Sequence, residues 1–229
     1  MLVTRPEAGA RATAARLATL GFVPILAPLL RIERLTPSLP DRAELQATIA
    51  TSANAIAALP AEFVSLPLFA VGDATAARAR AAGYTHVESA GGDARDLAAL
   101  VSSHCYPDGM PLLLASGEGQ GSALAEALER NGFAVLRREV YAARSVDSLP
   151  EAARSALRGE RLRSALFFSA ETARVFVGLA EGAGLADRVR MVEALAIGEP
   201  AAMALEHLPW RGIRVAVRPT QDDLLALLR

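Results

Sequence analysis

Lysine is missing from this chain altogether, and all 24 basic residues are arginine. That absence excludes Schiff-base and lysine-nucleophile chemistry. Cysteine is nearly missing as well. A lone Cys105 allows no internal disulfide and suits a reducing compartment. Aromatic residues fill only 5% of 229 positions, and alanine supplies much of the 52% hydrophobic content. No apolar run reaches the roughly 20 residues needed to cross a bilayer. No charged segment leads into a long apolar run at the start, so no signal peptide is expected. These absences together predict a cytoplasmic protein with no membrane partner. Neither charge sign is in excess: the net charge is −1, which argues against a nucleic-acid partner bound through a basic surface. His86, His104 and His207 lack ligand spacing to one another or to Cys105, so no metal is expected. A Gly-x-Ser-x-Gly elbow is also missing, which removes the usual serine-hydrolase signature.

What the chain does have is alternation. Ala165 to Phe168 is a short apolar run that suits a doubly buried strand. Ser169 breaks it, and Ala173, Val175, Phe176, Val177 and Leu179 then follow helical spacing. A strand ending in a hydroxyl just before a helix leaves backbone N–H groups pointing outward, where they and the helix dipole attract anions. The run from Thr48 to Ala55, Thr-Ile-Ala-Thr-Ser-Ala-Asn-Ala, repeats this layout.

Other segments repeat too. Leu2-Val3-Thr4 reads as a strand, Ala12 to Leu20 as a helix stopped by Gly21, and Phe22 to Leu30 as a returning strand. Pro24 and Pro28 place that strand at a sheet edge. A displacement of 111 residues sets Gly21-Phe22 on Gly132-Phe133 and Leu17 on Leu128. It also sets the first strand on Leu113-Leu114-Ala115-Ser116, and Phe133 to Tyr141 returns. Phe69-Ala70-Val71-Gly72 likewise matches Leu195-Ala196-Ile197-Gly198, and Val87-Glu88-Ser89 matches Val215-Ala216-Val217. The chain is therefore a duplicated strand–helix unit, which predicts an α/β fold with parallel sheets covered by helices on both faces. Two proline-marked connectors, Arg34 to Asp41 and Ala143 to Pro150, read as crossings between domains. The Gly117 to Gly121 turn lacks both the lysine of a phosphate loop and the dinucleotide spacing.

Several ordered motifs resemble those of uroporphyrinogen-III synthases. They are Val3-Thr4-Arg5-Pro6, Thr51-Ser52-Ala53-Asn54-Ala55, Ala70-Val71-Gly72 through Thr75-Ala76, Val140-Tyr141, Phe167-Phe168-Ser169, Ala196-Ile197-Gly198 and Arg218-Pro219-Thr220. The resemblance implies two flavodoxin-like, doubly wound parallel-sheet domains joined by a two-stranded linker and hinged about a cleft. One domain would comprise residues 1–34 and 146–229, the other 38–142, with linkers at 35–37 and 143–145. It further implies a hydro-lyase of tetrapyrrole biosynthesis that needs neither cofactor nor metal. The substrate would be hydroxymethylbilane, an open chain of four pyrroles with eight carboxylates, and a monomer is expected.

A polyanion of that size needs several N–H donors, not one deep pocket. The duplicated turns offer the amides of Ser52, Ala53 and Asn54, of Gly72 to Thr75, of Ser169, Ala170 and Glu171, and of Gly198 and Glu199. Helix capping by Ser52, Thr75 and Ser169, at ~1 kcal/mol each, is the alternative account of these hydroxyls. Arg5 could pair bidentately with a substrate carboxylate, and the resemblance adds Thr220 to the binding set. It also puts the general acid at Tyr141, expected to end a strand before the second crossing. A phenol is protonated at neutral pH and can donate to a departing hydroxyl; the competing role is a packing aromatic. Family members commonly carry hydroxyls after the second Ile-Gly, but here the positions are Pro200 and Ala201. Backbone amides must make any contact there. A non-catalytic, two-domain binder of a small polyanion is the alternative function.

Overall fold

The computed structural model describes residues 1–228 of the chain. In chain order it begins β1 (Leu2–Val3), α1 (Glu7–Thr19), β2 (Ile25–Leu26) and β3 (Leu30–Arg34). Next come β4 (Ala47–Ala50), α2 (Ala53–Ala58), β5 (Leu68–Ala70), α3 (Asp73–Ala81), β6 (Val87–Ser89) and α4 (Ala94–His104). The middle closes with β7 (Leu112–Gly117), α5 (Ser122–Arg130) and β8 (Val135–Ser145). The last stretch is α6 (Glu151–Arg158), β9 (Ser164–Phe167), α7 (Ala170–Gly182), β10 (Glu193–Ala196), α8 (Glu199–Leu205), β11 (Gly212–Val215) and α9 (Gln221–Ala226).

The chain divides into two units, residues 1–31 with 144–229 and residues 32–143. Both changes of unit fall inside a strand, β3 in one case and β8 in the other. These two strands are sheet neighbours. Beyond their paired stretch, the Leu35 N–H donates to the Val140 carbonyl at 2.9 Å and the Val146 N–H to the Leu29 carbonyl at 3.0 Å. Pairing carries β8 through Ser145, so the aperiodic Ala143-Arg144-Ser145 stretch is strand, not loop. The expected single strand from Phe22 to Leu30 is instead two, because Pro28 has no N–H to give a ladder. Its first piece, β2, does sit at a sheet edge, beside β1.

The first unit's sheet runs β11-β10-β9-β1-β2, and its strands pair in parallel. The second runs β8-β7-β4-β5-β6 with β3 added outside β8. Counted along one strand–helix unit, each five-stranded order is 3-2-1-4-5. The expected doubly wound parallel sheets are present, and this order refines the flavodoxin-like pattern, which would run 2-1-3-4-5. Each matched pair of segments occupies equivalent places: β4 with β9, β5 with β10, β6 with β11, β7 with β1, and β8 with β2.

Buried side chains cover both faces of each sheet. In the first unit one face packs Phe167, Phe176, Leu205 and Leu157, and the other packs Leu17, Leu166, Leu195 and Leu224. In α7, Ala173, Phe176, Val177 and Ala180 are buried at helical spacing. The Phe176 ring lies 5.3 Å from Phe167 and 5.5 Å from Trp210, whose indole N–H donates to the Leu205 carbonyl. Gly21 and Gly132 end their helices with φ of +82° and +89°. In each case the next residue, Phe22 or Phe133, donates back to the carbonyl of Leu17 or Leu128, the six-to-one bond of a Schellman stop.

The packing around Phe176 sets a first prediction. Phe176→Ala should destabilise the first unit by about 3–5 kcal/mol, since it removes a fully buried ring and two ring partners. Urea unfolding measures it; a loss under ~1 kcal/mol would show that this core is not close-packed as described.

Candidate functional site

In a doubly wound sheet the first and fourth strands send their helices to opposite faces, and a crevice opens at the carboxyl ends of those two strands. Each unit has one such switch point. In the second unit it lies between β4 and β7, and in the first between β9 and β1. The expected site residues sort by their distance from these two points.

At the first unit's switch point, β9 delivers Ser169 and β1 delivers Arg5. Ser169 caps α7 by accepting the Thr172 N–H at 3.1 Å, and its hydroxyl lies 2.8 Å from that of Thr172. Its carbonyl takes the Ala173 N–H at 3.2 Å. Ala170 and Glu171 are left as the helix's open donors. The Glu171 carboxylate is exposed and pairs with Arg174 at 3.0 Å, so its charge is compensated along the helix surface.

Arg5 is the distinctive cation here. Its guanidinium sits 4.4 Å over the Phe168 ring. One N–H donates to the Gln221 amide oxygen at 2.8 Å, and the Thr13 hydroxyl lies 3.3 Å away. A side chain on Gly9 would fall on the guanidinium. No carboxylate pairs with Arg5 among the described residues. Burial alone lowers its pKa from the usual arginine value.

The second unit's switch point brings Ser52 at the end of β4 beside the turn after β7. Ser52 caps α2 by accepting the Asn54 N–H at 3.2 Å, so that amide is spoken for and Ala53 keeps the open one. Tyr141 pairs with Gly117 across β8 and β7, at a register shift in the ladder. It does not end its strand as expected, because β8 continues through Ser145. Its ring is 4% exposed and packs in the second unit's core. The hydroxyl donates to the Oε1 of Gln120, an exposed residue, at 3.3 Å, a long bond. Gly117 makes room for the ring: a Cβ there would lie 2.8 Å from Tyr141 Cζ and 2.9 Å from its hydroxyl. The turn is held by Glu139, which accepts the Gly119 N–H at 3.0 Å and pairs with Arg137 at 3.0 Å. That amide bond, first, and then Arg137 hold the Glu139 carboxyl below its ordinary pKa.

The remaining expected residues stand further from the switch points. Thr75 does not cap a helix: it lies inside α3, is buried, and its N–H donates to the Gly72 carbonyl at 3.0 Å. At the head of α3 the open amides are those of Asp73 and Ala74. At α8, Pro200 has no N–H and Ala201 donates to the Gly198 carbonyl, which leaves the Glu199 amide. Asp73 and Glu199 open their helices, where a carboxylate complements the dipole that would otherwise draw a foreign anion. Thr220 caps α9 through the Asp223 N–H at 3.2 Å, and its hydroxyl donates to the Asp223 carboxylate at 2.6 Å. Sequence reasoning missed Gly9, Phe168 as a cation platform, Gln120 and Gln221. Gln221 meets Arg5 across 216 residues of chain, a contact that no local pattern signals.

Two comparisons bear on this arrangement. The family model described as uroporphyrinogen-III synthase HemD matches residues 11–226. No curated protein matches by sequence. Among solved structures, a uroporphyrinogen-III synthetase from Helicobacter pylori aligns with a TM-score of 0.64 at 19% identity, over 89% of this chain and 91% of that one. A mutant uroporphyrinogen III synthase from Thermus thermophilus aligns with a TM-score of 0.52 at 20% identity, over 100% of this chain and 97% of that one. At such identities the structures speak for a shared fold. The family match spans nearly the whole length, and on it the chain belongs to the uroporphyrinogen-III synthase family.

Proposed function

We propose that this chain closes hydroxymethylbilane to uroporphyrinogen III, with Arg5 and the open amides of α7 as carboxylate anchors and Tyr141 as proton donor. The observation that carries the assignment is the half-buried guanidinium of Arg5, with no carboxylate partner among the described residues, beside a helix start with two open N–H groups. A substrate rich in carboxylates is the complement of that pair. The Ser52–Ala53 start of α2 is a smaller anchor, and those at α3, α8 and α9 are weaker still, because their own carboxylates already sit there.

The chemistry asks for two things. The terminal hydroxyl must leave, and the last ring must join the first in inverted orientation. The departing C–O bond breaks as the oxygen takes the phenolic proton of Tyr141 and leaves as water. The carbon freed by water loss is attacked by the already substituted α-carbon of the last ring. That ring's bond to its bridging carbon then breaks and re-forms at its free α-carbon, which closes the inverted macrocycle and sheds a proton to the phenolate. Neither oxidant nor reductant is consumed. Before donating to substrate the hydroxyl must leave Gln120, and a 3.3 Å bond to an exposed amide is easily exchanged. Anchoring the carboxylates performs the second task, since it holds the other three rings while the last ring changes the carbon through which it is attached. The substrate is a small molecule. A monomer working in the cytoplasm without a nucleic-acid partner completes the reading, supported by the balanced charge.

Supplying the purified protein with hydroxymethylbilane and resolving the product isomers tests the function. The inverted isomer should predominate; only the symmetric isomer, at the spontaneous rate, would leave a polyanion binder as the better account. Tyr141→Phe keeps the ring that Gly117 accommodates and removes the proton. Turnover should fall by ~10²–10⁴, the usual worth of a general acid, while enzymatic product remains inverted. Full turnover in this variant would return Tyr141 to a packing role.

A further inference from the structure

The first turn of α9 reads Gln221-Asp222-Asp223, and each of the three residues meets an arginine. Asp222 pairs with Arg16 at 2.6 Å, and Asp223 pairs with Arg218 at 3.0 Å. Gln221 meets Arg5 at 2.8 Å. Two of these arginines are neutralised by a carboxylate. The third, at the switch point, meets an amide of nearly the same shape as glutamate but without its charge.

From this pattern we infer that Gln221 is a positioning residue which holds the Arg5 guanidinium in place while leaving its charge free for a substrate carboxylate. The inference rests on the reading of Arg5 as an anchor. Three further contacts support it. Phe168 takes one face of the guanidinium, which fixes its plane. Gly9 closes the space behind it, since a side chain there would displace it. Thr13, fully buried, lies 3.3 Å from the guanidinium and 3.2 Å from the same Gln221 oxygen. The guanidinium has donors only, so the amide is oriented with its acceptor towards Arg5, while the Thr13 proton has a nearer acceptor in the Gly9 carbonyl at 2.9 Å. A residue that only had to tie α9 to the neighbouring elements would do so more strongly as glutamate, because a carboxylate adds the attraction of an ion pair, with bidentate geometry open to it, to a bond that the guanidinium already assists. It would also turn the guanidinium into half of an internal ion pair and close it to outside anions.

Gln221→Glu therefore separates anchoring from structure, because the two readings predict opposite pairings of stability and binding. In the full-length protein the melting midpoint should rise by about 2–4 °C, as expected of ~1 kcal/mol in a chain of this size. The KM for hydroxymethylbilane should rise about tenfold or more, the worth of one lost charge-assisted hydrogen bond. Citrate, used as a polycarboxylate probe, should stabilise the wild type more than this variant. Gln221→Met removes the acceptor without adding charge, and should lower the midpoint and raise KM by a smaller factor.

A higher midpoint with KM and the citrate shift unchanged would make Arg5 a structural cation and overturn the inference. Unchanged midpoint and KM together would show that Gln221 does not hold Arg5, which overturns it too. Should Gln221→Glu fail to fold, Gln221→Met decides by the same readouts, and an unchanged KM there sinks the idea. Lack of turnover in the wild type would count against the synthase reading alone, because the citrate comparison needs no turnover.

Discussion

Parallel pairing of β1 with β9, and of β4 with β7, is the constraint from which the site descends. Parallel strands put all their carboxyl ends on one edge of the sheet, so every helix that follows a strand starts there with its unpaired N–H groups. Where the helices part to opposite faces, nothing fills the edge between the two strands. Ser169 and Arg5 occupy that place in one unit, Ser52 and the turn ahead of Tyr141 in the other. The Thr4 hydroxyl, fully buried, donates to the Leu166 carbonyl at 2.6 Å and ties β1 to β9 just before Arg5 emerges.

The charge at this edge is carried by a residue type suited to incomplete hydration. A half-buried lysine would give up its proton readily, whereas a guanidinium keeps its charge and can lie flat on an aromatic face. Phe168 supplies that face to Arg5. The lack of lysine throughout the chain is a compositional fact, but at this position arginine is also the residue that the surroundings require.

The sequence made the large-scale order legible because the signals were local. Alternation of short apolar runs with helical spacing, and glycine stops before Phe22 and Phe133, need only a few neighbouring residues to be read. The equivalence of Ser52 with Ser169 and of Gly72 with Gly198 likewise survives in the sheet order. The details that escaped were set by tertiary partners. Tyr141 looked like a strand end because Ala143 to Pro150 lacks periodicity, yet β8 runs on because it pairs with β3 and needs no apolar face there. Thr75 looked like a cap from its place after a glycine, but the preceding Gly72 starts the helix two residues earlier. Which amides are open was beyond reach as well, since that depends on whether a serine oxygen has already claimed them.

The same distinction separates helix starts that carry their own carboxylate from those whose amides are left open. Each N-terminal turn presents a partial positive charge, and in most of them the chain answers it with its own carboxylate. Asp73 and Glu199 sit in the first turn of α3 and α8, and Asp223 folds back on Thr220 and Arg218 at α9. Those hydrogen bonds hold the Asp223 carboxyl below its ordinary pKa, with Thr220 the larger cause, so it stays charged and in place. A substrate carboxylate arriving there would meet a like charge. At α7 the first-turn acid, Glu171, is drawn off by Arg174 and does not return to the helix start. The neighbouring cation, Arg5, meets an amide, a hydroxyl and the face of Phe168, and no carboxylate among the described residues. Charge at this edge has thus been compensated wherever compensation is structural, and left open at the one switch point where a half-buried arginine and two free N–H groups converge.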